Sequence, residues 1–338
     1  MVETGDERWI RGPRETSAFP KSFIPRDRFP EEEKVRALGR LKEKADERSM
    51  AAPPIVGSRS PALQRVHEVR VELDCLADGE ELNRALGIVS ETESITDVVL
   101  HSARDSVRSL PRVTEIVDRL AAVSHVTAVR LRSQLFRSQP EAFTDAVIKR
   151  FVGLNRVGVT DPLRIELEVL FLHASELKGH HARIVRLLRQ RGVTVYANIP
   201  LLPFINDSGA EMLGLTAGCR SMGIEVHHLI LAGMPLQTEW TREHPVHLGQ
   251  VIDLASHLRE NGSGRELPAY IIRTPLGEVD FGLSCEVTGT PHSQGALVRL
   301  LTHTLDDYRT MDPGFTSPPD VSFDDNGYPV VPVPGLVA

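Results

Sequence analysis

The chain reads as an α/β protein built on a complete or partial (β/α) TIM-like barrel. Short apolar or alternating runs recur at spacings of roughly 25–40 residues, helix-length segments separate them, and no repeat other than this strand–helix period is present. A doubly wound open sheet gives the same alternation, because spacing alone does not separate the two.

Residues 1–62 are polar and proline-punctuated, forming an N-terminal arm that ends in the linker AAPPIVGSRSP (Ala51–Pro61). Within the arm, Glu31–Arg48 is helix-like, with acids early and bases later, as the helix dipole favours. Its apolar positions are Val35, Ala37, Leu38, Leu41 and Ala45, a thin stripe suited to lying on a larger body or a partner. Seven strands are then expected, at 69–75, 97–101, 126–132, 163–173, 193–202, 225–233 and 269–274. Helices are expected between them, at Val113–Ala122, Glu141–Phe151, Glu176–Arg191, Gly209–Ser221 and Val246–Glu260. The barrel thus takes residues 63–285. Residues 286–338 are left for a helix over Gly295–Tyr308 and an extended tail carrying Pro313, Pro318, Pro319, Pro329, Pro332 and Pro334. Those prolines exclude a regular helix or a central strand.

Composition narrows the function classes. The chain has 338 residues, 41% hydrophobic and 25% charged, an ordinary globular balance. A net charge of −7 disfavours nucleic acid, whose phosphates such a surface repels. No apolar run reaches the roughly 18 residues that span a bilayer, and the N-terminus has no apolar core of signal-peptide type. The 3 cysteines, Cys75, Cys219 and Cys285, are scattered, which fits a reducing cytoplasm rather than a disulfide framework.

Two stretches carry a resemblance. Asp97–Ser133 (DVVLHSARDSVRSLPRVTEIVDRLAAVSHVTAVRLRS) and Val193–Asp207 (VTVYANIPLLPFIND) resemble the barrel of lysine 2,3-aminomutase-like radical S-adenosylmethionine (SAM) enzymes. Ser133 and Pro140 match the family's strand-to-helix turn. Phe171, His173 and Glu176 match its HFNHPNE sequence, and Ile205, Asn206 and Asp207 its GVND segment. The resemblance covers roughly residues 69–283 and implies a radical SAM-type barrel. It also implies an iron–sulfur cluster on a C-x3-C-x2-C triad, and in most members a pyridoxal phosphate lysine.

The departures fall where that chemistry belongs. Cys75 stands at the first cysteine position, but Gly79 and Leu82 take the other two, and one thiolate does not hold a cluster needing three. The glycine-glycine-acid turn that approaches SAM is replaced by His101-Ser102-Ala103-Arg104. Gln134 replaces the phosphate-binding arginine, and Glu278 falls near the lysine's place, with no lysine after Lys178. Arg273 replaces an acid that lysine-specific members carry.

Barrel ligand sites lie at the C-terminal ends of the strands. The candidate ligand-binding residues are therefore His101, Arg104, Arg132, Glu168, His173, Asn198 and Arg273. The three arginines suit a carboxylate or phosphate, unless they pair with Glu166, Glu168 or Asp105 instead. The preferred reading is a degenerate family member without cluster, SAM or pyridoxal phosphate chemistry and with no cofactor. It binds a small anion, a catalytic radical SAM homologue as partner, or its own copies, and takes neither nucleic acid nor membrane. One alternative is an enzyme rebuilt on the same barrel, with His101, His173 and Glu168 as acid–base groups or metal ligands. Another is an aminomutase completed by a second chain. No catalytic residue is assigned.

Overall fold

The computed structural model describes residues 31–47, 60, 62–65, 69–102, 105–156, 163–289 and 295–337, with side chains of the first helix described through Lys42. Of the expected N-terminal arm, residues 1–30 and the linker at Ala51–Pro61 lie outside the described residues, Ser60 excepted.

In chain order the elements are α1 (Glu31–Glu47), β1 (Leu63–Arg65), β2 (Arg70–Asp74), α2 (Gly79–Glu91), β3 (Asp97–His101), α3 (Leu110–Leu120), β4 (Ala128–Ser133), α4 (Leu135–Ser138) and α5 (Asp145–Gly153). There follow β5 (Arg164–Leu170), α6 (Gly179–Arg189), β6 (Thr194–Pro200), α7 (Gly209–Ser221), β7 (Glu225–Ala232), α8 (Pro235–Thr241), β8 (Val246–His247), α9 (Leu248–Asn261), β9 (Ala269–Thr274) and β10 (Gly277–Asp280). The chain ends with β11 (Cys285–Gly289), β12 (Ala296–Leu300), α10 (Leu305–Met311), β13 (Ser322–Phe323), β14 (Pro329–Val333) and β15 (Leu336–Val337).

The sheet order is β1-β2-β3-β4-β5-β6-β7-β9-β10. All seven expected strands are present, as β2 to β7 and β9, and they run parallel. Antiparallel β1 and β10 flank them. The barrel is therefore partial: a curled, open half-barrel of nine strands. The crossover helices form for local reasons. The Asp78 carboxylate accepts from Glu81 N at 2.9 Å to cap α2, and Ser208 does the same for α7 through Glu211 N. Buried Leu82, Ala85, Leu86 and Val89 recur at helical spacing along α2 and face the sheet.

Each face of the sheet has its own core. On the convex face, Val71, Leu73, Val98, Leu100, Val129, Leu131, Ile165, Leu167, Val195 and Ala197 pack under the crossover helices. On the concave face a smaller cluster joins Leu170, Leu172, Leu202, Ile205, Ile230, Met234 and Leu236 to Ala37, Leu38 and Leu41 of α1. The N-terminal stripe thus lies on the C-terminal rim of the half-barrel. Val35, part of the expected stripe, is exposed.

The C-terminal expectations need correction. Gly295–Tyr308 is β12 followed by the start of α10, and the proline-rich tail supplies β14, an inner strand of a four-stranded sheet ordered β11-β12-β14-β13. Alternation decides this: Ala296, Val298 and Leu300 on β12 face inward with Val331 and Val333 on β14, and all five are buried. The prolines are tolerated because Pro329 begins its strand and Pro332 lies beyond the reach of the two-residue β13.

Candidate functional site

The concave face of the half-barrel is built of charge. Alternate residues of each strand point there, so Arg70 and Glu72 of β2, Arg130 and Arg132 of β4, and Glu166 and Glu168 of β5 share one surface with Arg273 of β9 and Glu278 of β10. Arg132 sits at the centre: its Nη1 and Nη2 donate to Glu72 at 2.9 and 2.6 Å, and its Nε to Glu168 at 2.6 Å. Arg130 Nε donates to Glu166 at 3.1 Å and its Nη1 lies 3.6 Å from Glu168, while its guanidinium stacks over Tyr196. Arg273 Nη2 lies 2.7 Å from Glu278 and 3.8 Å from Glu72, and Arg70 also pairs with Glu278. Pairs between β2 and β9 or β10 tie the two ends of the open sheet together through side chains. Four arginines meet four glutamates.

Burial alone would push these carboxyls up. For Glu72, the charges of Arg132 and Arg273 outweigh burial and hold the carboxyl below its usual range. Burial is likewise overcome at Glu168, held far down by Arg132 and Arg130, and at Glu278, held at about 2 by Arg70 and Arg273. Arg132 responds in kind: burial opposes its charge, but Glu168 and Glu72 raise its pKa.

Arg132, Glu168 and Arg273 are thus brought together with their counter-charges, the pairing with Glu168 that the sequence left open. The anion-binding role expected of these arginines meets carboxylates already in position. Arg104 lies outside the described residues. Asp105 turns elsewhere: its carboxylate accepts from Ser133 Oγ, Gln134 N and Leu135 N, holding the loop after β4.

Asn198 and His228, paired in register on β6 and β7, continue the concave face toward the rim. Both are buried, and Asn198 Oδ1, His227 Nδ1 and His228 Nδ1 have no hydrogen-bond partner in the protein. His227 and His228 stack with ring centroids 3.7 Å apart. Burial first, then the charges of Arg130 and Arg70, lowers His227 to about 4; burial first, then His227 itself, lowers His228 to about 3. Both rings are neutral near pH 7.

His101 ends β3, its pKa lowered by burial and then by Arg132. His173 lies on the rim, hydrogen-bonded to Ser175 beside Lys34 and Lys42 of α1. Glu176 is committed to Arg137 at 2.9 Å and to Leu172 N. Among the described residues no three His, Cys, Asp or Glu side chains converge as a metal site. The site's charge pattern was legible in part, since VRVELD, AVRLRS and RIELEV place charges at every second position of apolar strands. Glu72, Arg130 and His228 carry no other signal and were missed.

The cysteines are dispersed over the fold. Cys75 follows β2, buried, with Sγ 2.7 Å from the carbonyl oxygen of His101; burial and then the Asp74 charge push its thiol up to about 12. Cys219 lies on α7 and Cys285 on β11, both buried. The positions expected to complete a triad are helical: Gly79 begins α2, and Leu82 is buried beneath it. The segment after β9 is a tight hairpin, with Glu278 in the ion network. These residues do not fit a three-thiolate cluster or an internal aldimine.

Comparison with known proteins places the scaffold. L-lysine 2,3-aminomutase of Fusobacterium nucleatum subsp. nucleatum is 24% identical over 198 residues, covering 59% of this chain and 44% of that protein. The enzyme of the same name from Clostridium subterminale is 23% identical over 198 residues, covering 59% and 45%. The chain is similar to the lysine 2,3-aminomutase-like radical SAM family. It spans about half the length of the aminomutases it matches. A radical SAM methyltransferase structure from Sphaerobacter thermophilus superposes with a TM-score of 0.40 at 14% identity, covering 63% of this chain and 69% of that one. No protein-family profile matches the sequence. Among the described residues no helix is long and apolar enough to cross a membrane.

Proposed function

We propose that this aminomutase-like half-barrel is a binding protein that has given up cluster, SAM radical and pyridoxal phosphate chemistry. It acts by holding a small ligand at the strand ends or by associating with a catalytic homologue. The observation that carries the reading is α2. Where the family's second and third cysteines would stand, the chain has a capped helix whose Leu82 is buried in the convex core. Restoring a cluster loop there would unwind that turn and withdraw Leu82. Cys75 is itself a core residue with a raised thiol pKa, the opposite of a poised metal ligand.

The concave face supports the same reading. Glu278, near the position of the expected lysine, is held ionised between Arg70 and Arg273, so the interior carries a self-neutralising ion network. The test is anaerobic reconstitution of the full chain with iron and sulfide. Colourless protein without stoichiometric iron is expected. Brown protein with about four irons per chain would overturn the proposal. Borohydride trapping with pyridoxal phosphate gives an independent arm: a single lysine modified quantitatively would restore a cofactor role.

A further inference from the structure

The rim of the half-barrel, where a ligand would enter, is already occupied by the chain's own first helix. Lys34, Ala37, Leu38, Leu41 and Lys42 form one stripe of α1 at helical spacing. The three apolar residues sit on Leu170, Leu172, Leu202, Ile205, Ile230, Met234 and Leu236, with Trp240 at the margin. Lys34 pairs with Glu211, Lys42 Nζ lies 3.9 Å from Glu176, and Arg137 Nη2 donates to Lys42 O at 3.3 Å.

Three features mark this contact as separable from the sheet. First, it is narrow: three apolar side chains of α1 are buried while Val35, Arg36 and Gly39 beside them face outward. Second, fifteen residues, 48 to 62, separate Glu47 from Leu63, enough to span about 50 Å when extended. The helix can therefore lift without disturbing β1. Third, what it covers is a poor match. Asn198, the register partner of Leu170, and His228, two residues before Ile230, present buried polar atoms that no protein group satisfies, just below a helix face made of alanine and leucine. An apolar cap leaves that hydrogen-bonding capacity unmet, whereas a polar ligand admitted beneath it would meet it.

We propose that α1 is a displaceable lid that closes the C-terminal end of the concave face and opens to admit a ligand to the Asn198–His228 floor. What the lid guards rests on the ligand-binding reading above; that it opens does not. In the closed state the rim is sealed by the leucine stripe and two lysine anchors. In the open state Leu170, Ile230 and the polar floor meet solvent while the nine-stranded sheet and its convex core stay intact.

The test uses the full chain carrying Ile230→Cys and a maleimide probe, with labelled positions identified by mass spectrometry. Cys219, buried in the convex core, is the internal reference for global opening. Position 230 is expected to react at least about 100-fold faster than Cys219 under native conditions, because local opening costs less than unfolding. Adding Leu38→Asp is expected to speed labelling at 230 by about tenfold or more without changing Cys219. Raised salt should also speed it by weakening the two lysine anchors. Equal rates at the two thiols, or equal acceleration of both by Leu38→Asp, would show that α1 leaves only when the whole fold opens and would overturn the proposal. Hydrogen exchange of the unsubstituted chain repeats the comparison: α1 amides as slow as those of β6 would overturn it too. A lid that opens in a protein that also assembles a cluster would refute the binding-protein reading and leave the lid standing.

Discussion

Replacing Arg132 with Met removes the cation on which the concave face is centred. Glu72 then keeps only Arg273 Nη2 at 3.8 Å, and Glu168 only Arg130 Nη1 at 3.6 Å, and both carboxylates remain buried. Breaking a buried pair by removing one partner costs about 3–5 kcal/mol, because the surviving charge is stranded. For a domain of about 200 residues this lowers the melting temperature by roughly 6–20 °C. The pH dependence separates this cause from lost packing. In the native chain, burial raises the Glu72 and Glu168 pKa values but the arginines overcome it, so both lie below the ordinary glutamate value of 4.5. Such groups contribute stability above that value and lose it as pH falls through the folded pKa. Without Arg132, burial dominates and the folded pKa values rise above the unfolded one, so the sign reverses. The variant's deficit is then greatest at high pH and shrinks on acidification. Melts followed by circular dichroism at pH 8, 6.5 and 5 should show the gap between variant and parent narrowing. A gap that is independent of pH, or a drop under about 2 °C, would refute the charge-stranding argument.

Arg273→Ala should lower stability in the absence of any ligand, since Glu278 and Glu72 lose a partner, and should leave stabilisation by phosphate or carboxylates unchanged. Melts with and without those anions check both halves. Gly233→Ala should cost at least about 2 kcal/mol in denaturant unfolding, because Gly233 has φ 99° and a Cβ there would collide with the Arg273 carbonyl oxygen. Gly214→Ala, in the middle of α7 with open space around it, should instead stabilise by about 0.5–1 kcal/mol. Asn206→Ala should cost about 3 kcal/mol by the same assay, since its buried amide accepts from Leu202 N at 2.8 Å and donates to Leu172 O and Pro200 O at 2.9 Å.

The strands, the crossover helices and the order of the half-barrel were all legible in the amino-acid sequence. Strand and helix periods are local properties, and seven apolar runs separated by capped amphipathic segments leave few other arrangements. Three scattered cysteines and a missing lysine were equally plain there as a mismatch with the chemistry of the family the chain resembles. The C-terminus was misread, because proline content was weighed as a barrier to an inner strand. In the fold, Pro329 begins β14 and Pro332 lies beyond β13, so neither breaks a ladder that depends on it.

What the arginines do became visible only in three dimensions. Arg132 and Glu72 are 60 residues apart in sequence yet share two hydrogen bonds, and Arg70 meets Glu278 across the open side of the sheet. Charge at every second position of a strand says that one face is polar, but not whether that polarity faces solvent, a ligand or its own counter-charge. That depends on the curl of the sheet, which brings strands distant in sequence within the reach of a guanidinium. The seat of α1 is settled in the same way. Three apolar residues on a polar helix find their partners only after the ends of β5, β6 and β7 have been brought side by side.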